Sequence, residues 1–405
     1  MIEFAQNQST DREPAPLALH STRYPAIDSL RGLAALWVVC SHLWNRFYPG
    51  VNGQFHAAAL PSDGPVSLQV SFALFGYGYV GVTLFFVLSG FCIHLPQAKA
   101  FAATGSDRLA ALNFFRRRFW RLYPAYFASL VFTALLLGLF PVMLWLLRGR
   151  PFNSVDAFGL RHALANALFL QQAFPDSLQF NGVYWTLLYE VQFYALYPVL
   201  LWCARRWGFG AVAVALLGCE LAVASHPSPI PHAFLNRYFE WYLGMLVAER
   251  TASGQQTTSR WIAAAGLISG IVMTSYTAWW PYRDVLLGIG FAGLVASVLP
   301  RRPQLLASAP LVWLGMISYS LYLVHVPLID LIWNAGSLAV DLGTLNETMA
   351  RSLALMVVPL ALGVAAVSYR WFEKPFLRGY PGSMVPSAIG ERVPARLGAS
   401  GRDAG

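Results

Sequence analysis

The sequence of 405 residues predicts an all-α, polytopic transmembrane helical bundle of about ten spans, with one extra short re-entrant or interfacial helix. Three observations carry that expectation. Apolar segments near 20 residues, the length that crosses a hydrocarbon core of about 30 Å, recur along the chain. Only 12% of residues are charged while 57% are hydrophobic, about half the charged share of a soluble domain. Arginines gather between the apolar segments, where they set orientation. The formal net charge of +9 therefore reports topology before anything else. The lipid bilayer is an expected partner and nucleic acid is not.

Taken in order, residues 1–26 are polar, contain proline and lack the apolar stretch of a cleavable signal, so a cytoplasmic N-terminal segment is expected there. A membrane domain is expected over 27–376, with spans at 30–48, 76–95, 122–147, 185–203, 209–225, 233–249, 261–279, 285–299, 311–334 and 352–372. Residues 377–405, rich in Gly, Pro and Arg, read as a disordered, basic cytoplasmic tail. Phe158 to Gln172 contains Arg161 and His162 and is decided by charge. Arg116, Arg117, Arg118 and Arg121 precede the third span and Arg205 and Arg206 follow the fourth. Both clusters are expected to be cytoplasmic, so two crossings already suffice between them. Phe158 to Gln172 is then re-entrant or interfacial. This arrangement puts 21 of the 28 Lys and Arg residues, and both termini, on the cytoplasmic side. Cys40, Cys92, Cys203 and Cys219 lie in apolar segments without metal-ligand spacing and read as buried structural thiols. No metal and no bound cofactor is expected.

The stretch LRGLAALWVVCSHLW, Leu30 to Trp44, sets an arginine and a histidine in an apolar helix. Eleven residues separate Arg31 from His42, close to three turns, so the two share a face about 16 Å apart. Ionisable groups within a membrane usually line a cavity or pathway; the plainer reading is an interfacial arginine and a hydrogen-bonded core histidine. Counting 1.5 Å per residue puts Glu190 and His325, from two other spans, at nearly the depth of His42. A shared polar cavity is expected. On the cytoplasmic side, NFFRRRFWRLYPAY carries Arg118 and Arg121 three residues apart on one helical face, suited to bidentate capture of phosphate. The same cluster also fits simple topology and lipid headgroup contact. In FFVLSGFCIH, Ser89-Gly90 suits close helix packing or ligand contact. His94 is five residues from Ser89, a poor match for a base on the same helix.

Six segments in order, IDSLRGLAALWVVCSH, FFVLSGF, RRFWRLYP, YWTLLYEVQFYALYP, YSLYLVHVP and YRWFEKPF, resemble acyltransferase family 3. This is the group of integral membrane acyltransferases that includes O-antigen and exopolysaccharide O-acetyltransferases. The likeness runs from Ile27 to Phe376. Thr186 stands where the family often has Ser, and Val191 where a second acidic residue is common, so that second acid is not expected to be needed.

The resemblance implies an acetyl-CoA-dependent O-acyltransferase of the bacterial inner membrane. It would move an acyl group from cytoplasmic acyl-CoA, a co-substrate, to a hydroxyl of a cell-envelope or exported polysaccharide, free or lipid-linked. His42, Glu190 and His325 are the catalytic candidates: His42 as general base or transient acyl carrier, Glu190 to orient it, His325 to bind the acceptor or polarise the carbonyl. Arg31, Arg118, Arg121 and Ser89 are candidates for the acyl-CoA site, and Trp185, Tyr194 and Tyr319 for the acceptor. Trp185 and Tyr194 equally fit an interfacial aromatic belt. Asp28 is expected to cap the first helix and pair with Arg31, and Glu373 to pair structurally with nearby cations. Two other classes stay open: a transporter or flippase using the same charges as a relay, and a scaffold whose basic loop binds lipid.

Overall fold

The computed structural model describes residues 24–47, 77–148, 160–171, 180–224, 236–255, 260–273, 280–341, 343, 349 and 352–377. The expected N-terminal segment and C-terminal tail lie almost wholly outside these residues. The described residues form eleven helices and no strand: α1 (Pro25–Phe47), α2 (Tyr79–Thr104), α3 (Ala111–Arg148), α4 (Leu160–Ala167), α5 (Trp185–Trp207), α6 (Phe209–Ala224), α7 (Tyr238–Ala252), α8 (Arg260–Met273), α9 (Trp280–Arg301), α10 (Ala309–Asp341) and α11 (Ala354–Ser368). A 3₁₀ turn, Gly182–Tyr184, leads into α5, and α11 runs on through a π-helical turn, Tyr369–Glu373, to Leu377.

Local chemistry accounts for the ends. Proline at the first position of α1 loses no hydrogen bond, since that N–H has no intrahelical partner. Asp28 in the first turn and Arg46 in the last suit the helix dipole. At the end of α2, Gly105 takes φ +67° and returns its N–H to the Phe101 carbonyl at 2.7 Å, a left-handed cap that glycine adopts without strain.

Among the described residues, seven helices are long and apolar enough to cross a membrane: α1, α2, α3, α5, α9, α10 and α11 with its continuation. The other three expected spans correspond to α6, α7 and α8, described over 16, 15 and 14 residues; α6 and α8 run up to residues outside the described set. Where one extra short helix was expected lies α4, described over Leu160–Ala167. It is held against α3 by the Tyr126 hydroxyl, which donates to the Asn166 carbonyl at 2.7 Å. Large apolar side chains face outward, among them Leu355 (74% exposed) and Trp261 (71%), while His94, Glu240, Asp284 and His325 are buried. Apolar outside and polar inside is the pattern a hydrocarbon solvent selects. The four cysteines are free, and none is buried as expected: Cys40, Cys92 and Cys203 are half-buried, and Cys219 is exposed on α6, which turns an apolar face outward.

Two parallel helix pairs organise the interior. Along α1 and α10, a Cβ on Gly315 would collide with the Asp28 carbonyl, and one on Gly32 with the Gly315 backbone. The pair stays in register further up: His42 meets His325, 283 residues later in the chain. Along α2 and α7, a Cβ on Gly90 would collide with the Trp241 carbonyl, and one on Gly244 with the Val87 carbonyl. Small residues at such crossings let backbones touch, the main source of helix attraction where no hydrophobic effect operates between helices.

Replacing Gly90 by Ala should force α2 off α7 and lower stability by about 1–3 kcal/mol, read as a fall in thermal unfolding temperature in detergent. Gly363→Ala, which enters open space, should leave that temperature unchanged.

Candidate active site

The α1/α10 pair presents two histidines to each other. The His42 Nδ1–H donates to the Val38 carbonyl at 2.9 Å, and the His325 Nδ1–H to the Tyr322 carbonyl at 2.8 Å. These bonds assign the proton of each ring to Nδ1. The basic Nε2 of His325 then faces His42 Nδ1 at 3.4 Å, with ring centroids 5.0 Å apart. His42 Nδ1–H is shared between a carbonyl and a second imidazole, and its own Nε2 is the basic atom. His325 is fully buried.

Beside this pair, between α2, α3, α5 and α10, lies a cavity of about 130 Å³. Arg31, Arg118 and Arg121 line it together with Ser89, Glu190, Thr186, Tyr194, Tyr319 and Tyr322. Glu190 is held from two helices. The Ser89 hydroxyl lies 2.9 Å from both carboxylate oxygens, and the Tyr194 hydroxyl donates to Oε1 at 2.6 Å. Ser89 in turn accepts from the Trp241 indole N–H at 3.2 Å, a contact that follows from the Gly90/Gly244 crossing one residue away. Arg118 lies over the rings of Phe114 and Tyr194 at 5.4 and 5.6 Å. Arg121 interacts electrostatically with Glu373, Tyr194 and Glu190, and Glu373 is buried behind it in the π turn, accepting from Ser320 at 2.9 Å. Three guanidinium groups thus face one lining carboxylate, leaving room for anionic charge.

Tyr322 joins the two parts. Its hydroxyl and that of Thr186 hydrogen-bond at 2.9 Å and share the Val183 carbonyl. Its ring packs beside His325, centroids 5.7 Å apart, while another side of it lines the cavity. The Asn181 side chain ties the turn before α5 to α10 through the Leu323 carbonyl at 3.2 Å, fixing α5 and Glu190 relative to His325. Among the described residues, no three His, Cys, Asp or Glu side chains group as metal ligands would.

A family model described as an acyltransferase domain matches residues 24–370. The chain belongs to acyltransferase family 3. Among its relatives are the Peptidoglycan O-acetyltransferase OatA of Listeria monocytogenes (25% identity over 88% of this chain and 56% of that protein), the Exopolysaccharide production protein ExoZ of Rhizobium meliloti (28% over 79% and 96%) and the Acyltransferase MdmB of Streptomyces mycarofaciens (24% over 88% and 92%). The chain spans little more than half the length of the first of these. No solved structure matches it.

In this member of the acyltransferase family, the four residues expected at an acyl-CoA site, Arg31, Arg118, Arg121 and Ser89, all line one cavity. Of the three catalytic candidates, His42 and His325 touch, while Glu190 belongs to the cavity with Ser89 and Tyr194. Tyr194 and Tyr319 line that same cavity, and the Tyr319 hydroxyl donates to the Leu122 carbonyl at 3.0 Å. Trp185 packs on Phe86 and Tyr189 with centroids 6.5 and 5.7 Å away. The expected Asp28–Arg31 ion pair is not among those of the described residues; Arg31 lines the cavity. His94 bonds to Tyr197 at 3.0 Å and to Glu249 at 2.9 Å, in a network that Arg205 closes.

Sequence reasoning missed Trp241 and Tyr322. Tyr322 had a signal, because it stands three residues from both Tyr319 and His325 and so shares their face. Trp241 had none, since only the α2/α7 crossing brings it to Ser89.

Ser89→Ala should leave the buried Trp241 N–H without an acceptor and Glu190 with one fewer donor. A loss of about 1–3 kcal/mol is expected for such an orphaned group, measurable by thermal unfolding, with the helical circular dichroism spectrum retained.

Proposed function

We propose that this protein is an O-acyltransferase of a bacterial inner membrane, with both termini cytoplasmic. It takes an acyl group, acetyl first, from cytoplasmic acyl-CoA and transfers it to a hydroxyl of a cell-envelope or exported polysaccharide. The observation that carries this reading is the adjacency of an arginine-lined cavity and a histidine pair, with Tyr322 as their common wall. Family membership and relatives named as acetyltransferases of peptidoglycan support it.

Each part has a physical role. CoA is polyanionic, and Arg31, Arg118 and Arg121 offer the fork-shaped donors that bind phosphate bidentately. A cavity of about 130 Å³ lies well below the roughly 300 Å³ where drug-sized pockets begin. It suits the slender pantetheine arm and leaves the nucleotide at the mouth. Glu190, fixed by Ser89 and Tyr194, orients the arm by accepting from its amide N–H groups. His42 Nε2 removes the proton of the acceptor hydroxyl as its oxygen attacks the thioester carbonyl. When the carbon–sulfur bond breaks, the same proton passes to the departing CoA thiolate. The lone pair of His325 Nε2 stabilises the imidazolium that forms in between, through the proton on His42 Nδ1. A transporter or flippase would need no such ordered pair of imidazoles, and membership of an acyltransferase family speaks for chemistry.

The decisive measurement uses purified protein in vesicles with labelled acetyl-CoA and candidate glycans. Wild type should transfer label, and His42→Ala should lose about 10²–10⁴-fold in rate, the usual worth of a general base. Equal transfer by both would overturn the assignment of His42. Separately, Arg118→Ala combined with Arg121→Ala should weaken acetyl-CoA binding at least about tenfold, given about 1.5–3 kcal/mol per charge-assisted hydrogen bond. Unchanged affinity would return that cluster to topology and lipid contact.

A further inference from the structure

One turn beyond the histidine pair, on the side away from the arginine cavity, α1 and α10 carry a second polar group that the reaction scheme does not use. Arg46 follows His42 by four residues and Asp330 follows His325 by five, rises of about 6 and 7.5 Å. Their side chains pair at 3.2 Å and remain 42% and 34% exposed. The Arg46 guanidinium lies 5.4 Å from the centre of the Trp333 ring, and Phe47 meets that indole edge-on at 5.2 Å. An ion pair this exposed contributes little to holding a fold together. The cluster therefore has a carboxylate, a guanidinium and an indole available above two imidazoles.

We propose that Arg46, Asp330 and Trp333 form the subsite that seats the acceptor sugar, an assignment that rests on the acyltransferase reading above. A sugar ring offers vicinal hydroxyls and an apolar face of C–H groups. Asp330 accepts from hydroxyls and Arg46 donates to them in a fixed fork, while Trp333 supplies a large apolar surface with little conformational freedom to lose. Side chains on a helix lean toward its N-terminus, so Arg46 and Asp330 both reach back toward the level of the histidines. A hydroxyl on a ring held there comes within reach of His42. One positive and one negative charge make the subsite neutral overall, which favours a neutral or N-acetylated sugar over a polyanionic one. The arginine cavity serves the anionic donor from the other side, so the two substrates do not compete for the same charges.

The test measures binding and turnover separately. In vesicles with labelled acetyl-CoA, Trp333→Ala, Asp330→Asn and Arg46→Gln should each raise the acceptor KM about tenfold or more, with the acetyl-CoA KM unchanged and kcat within about threefold. By calorimetry without acetyl-CoA, neutral and N-acetylated oligosaccharides should bind wild type and bind the variants at least tenfold more weakly. Thermal unfolding of each variant establishes that it is folded. Acceptor KM and affinity equal to wild type in folded variants would overturn the subsite and leave the cluster as an interfacial anchor. Failure of the whole panel to bind wild type would overturn it too. If wild type binds oligosaccharide and the variants do not, but no label is transferred, the subsite stands and the acyl-CoA reading falls.

Discussion

The geometry of the candidate site depends on backbone contact between helices that are far apart in sequence. Gly32 against Gly315 lets α1 lie directly on α10, and Gly90 against α7 does the same for α2. In hydrocarbon, helices gain nothing from hiding apolar side chains from one another, so close packing and buried hydrogen bonds must hold the bundle. Both pairs run parallel, and each carries its site residues at or beyond the glycine contact. From Gly32 to His42 is ten residues, and from Gly315 to His325 the same. A change in register of one residue at the glycines would swing one imidazole about 100° away from the other.

Two kinds of polar burial follow from that frame. The histidine pair has its Nδ1 protons committed to carbonyls one helical turn below. A helix interior has few donors to spare, and this arrangement satisfies each imidazole while leaving one basic nitrogen in line with the next group. The cavity is charged, and its arginines are matched only in part, by Glu190 at the wall and Glu373 behind. Withdrawing cations even partly from water without full pairing is costly; Arg31, Arg118 and Arg121 are half-buried, and an anionic ligand would supply the missing charge. Tyr322 touches both environments. Its hydroxyl is occupied by Thr186 and the Val183 carbonyl, so it acts as a wall with no exchangeable role of its own.

Some of this was legible from residues alone. The shared face of Arg31 and His42 is arithmetic on 3.6 residues per turn. The common depth of His42 and His325 followed from alternating passes and 1.5 Å per residue, and these two residues do meet. Glu190 was expected beside the histidines, but a depth count says nothing about azimuth, and α5 turns it to Ser89 and Tyr194. The Asp28–Arg31 pair was expected because three residues separate them, yet Arg31 lines the cavity instead. The separation of Ser89 from His94 was legible as a mismatch of five positions, and His94 indeed bonds elsewhere.

By itself, then, the sequence determined what each helix is and which residues share its face, because composition and periodicity act within one helix and need no partner. It also carried the ordered motifs of the family. Tertiary structure alone decided which faces meet: Ser89 with Glu190 across 101 residues of chain, and Arg46 with Asp330 at the far end of α1. Those meetings depend on the azimuth and register at which two glycine-faced helices lock, and no local propensity encodes either quantity.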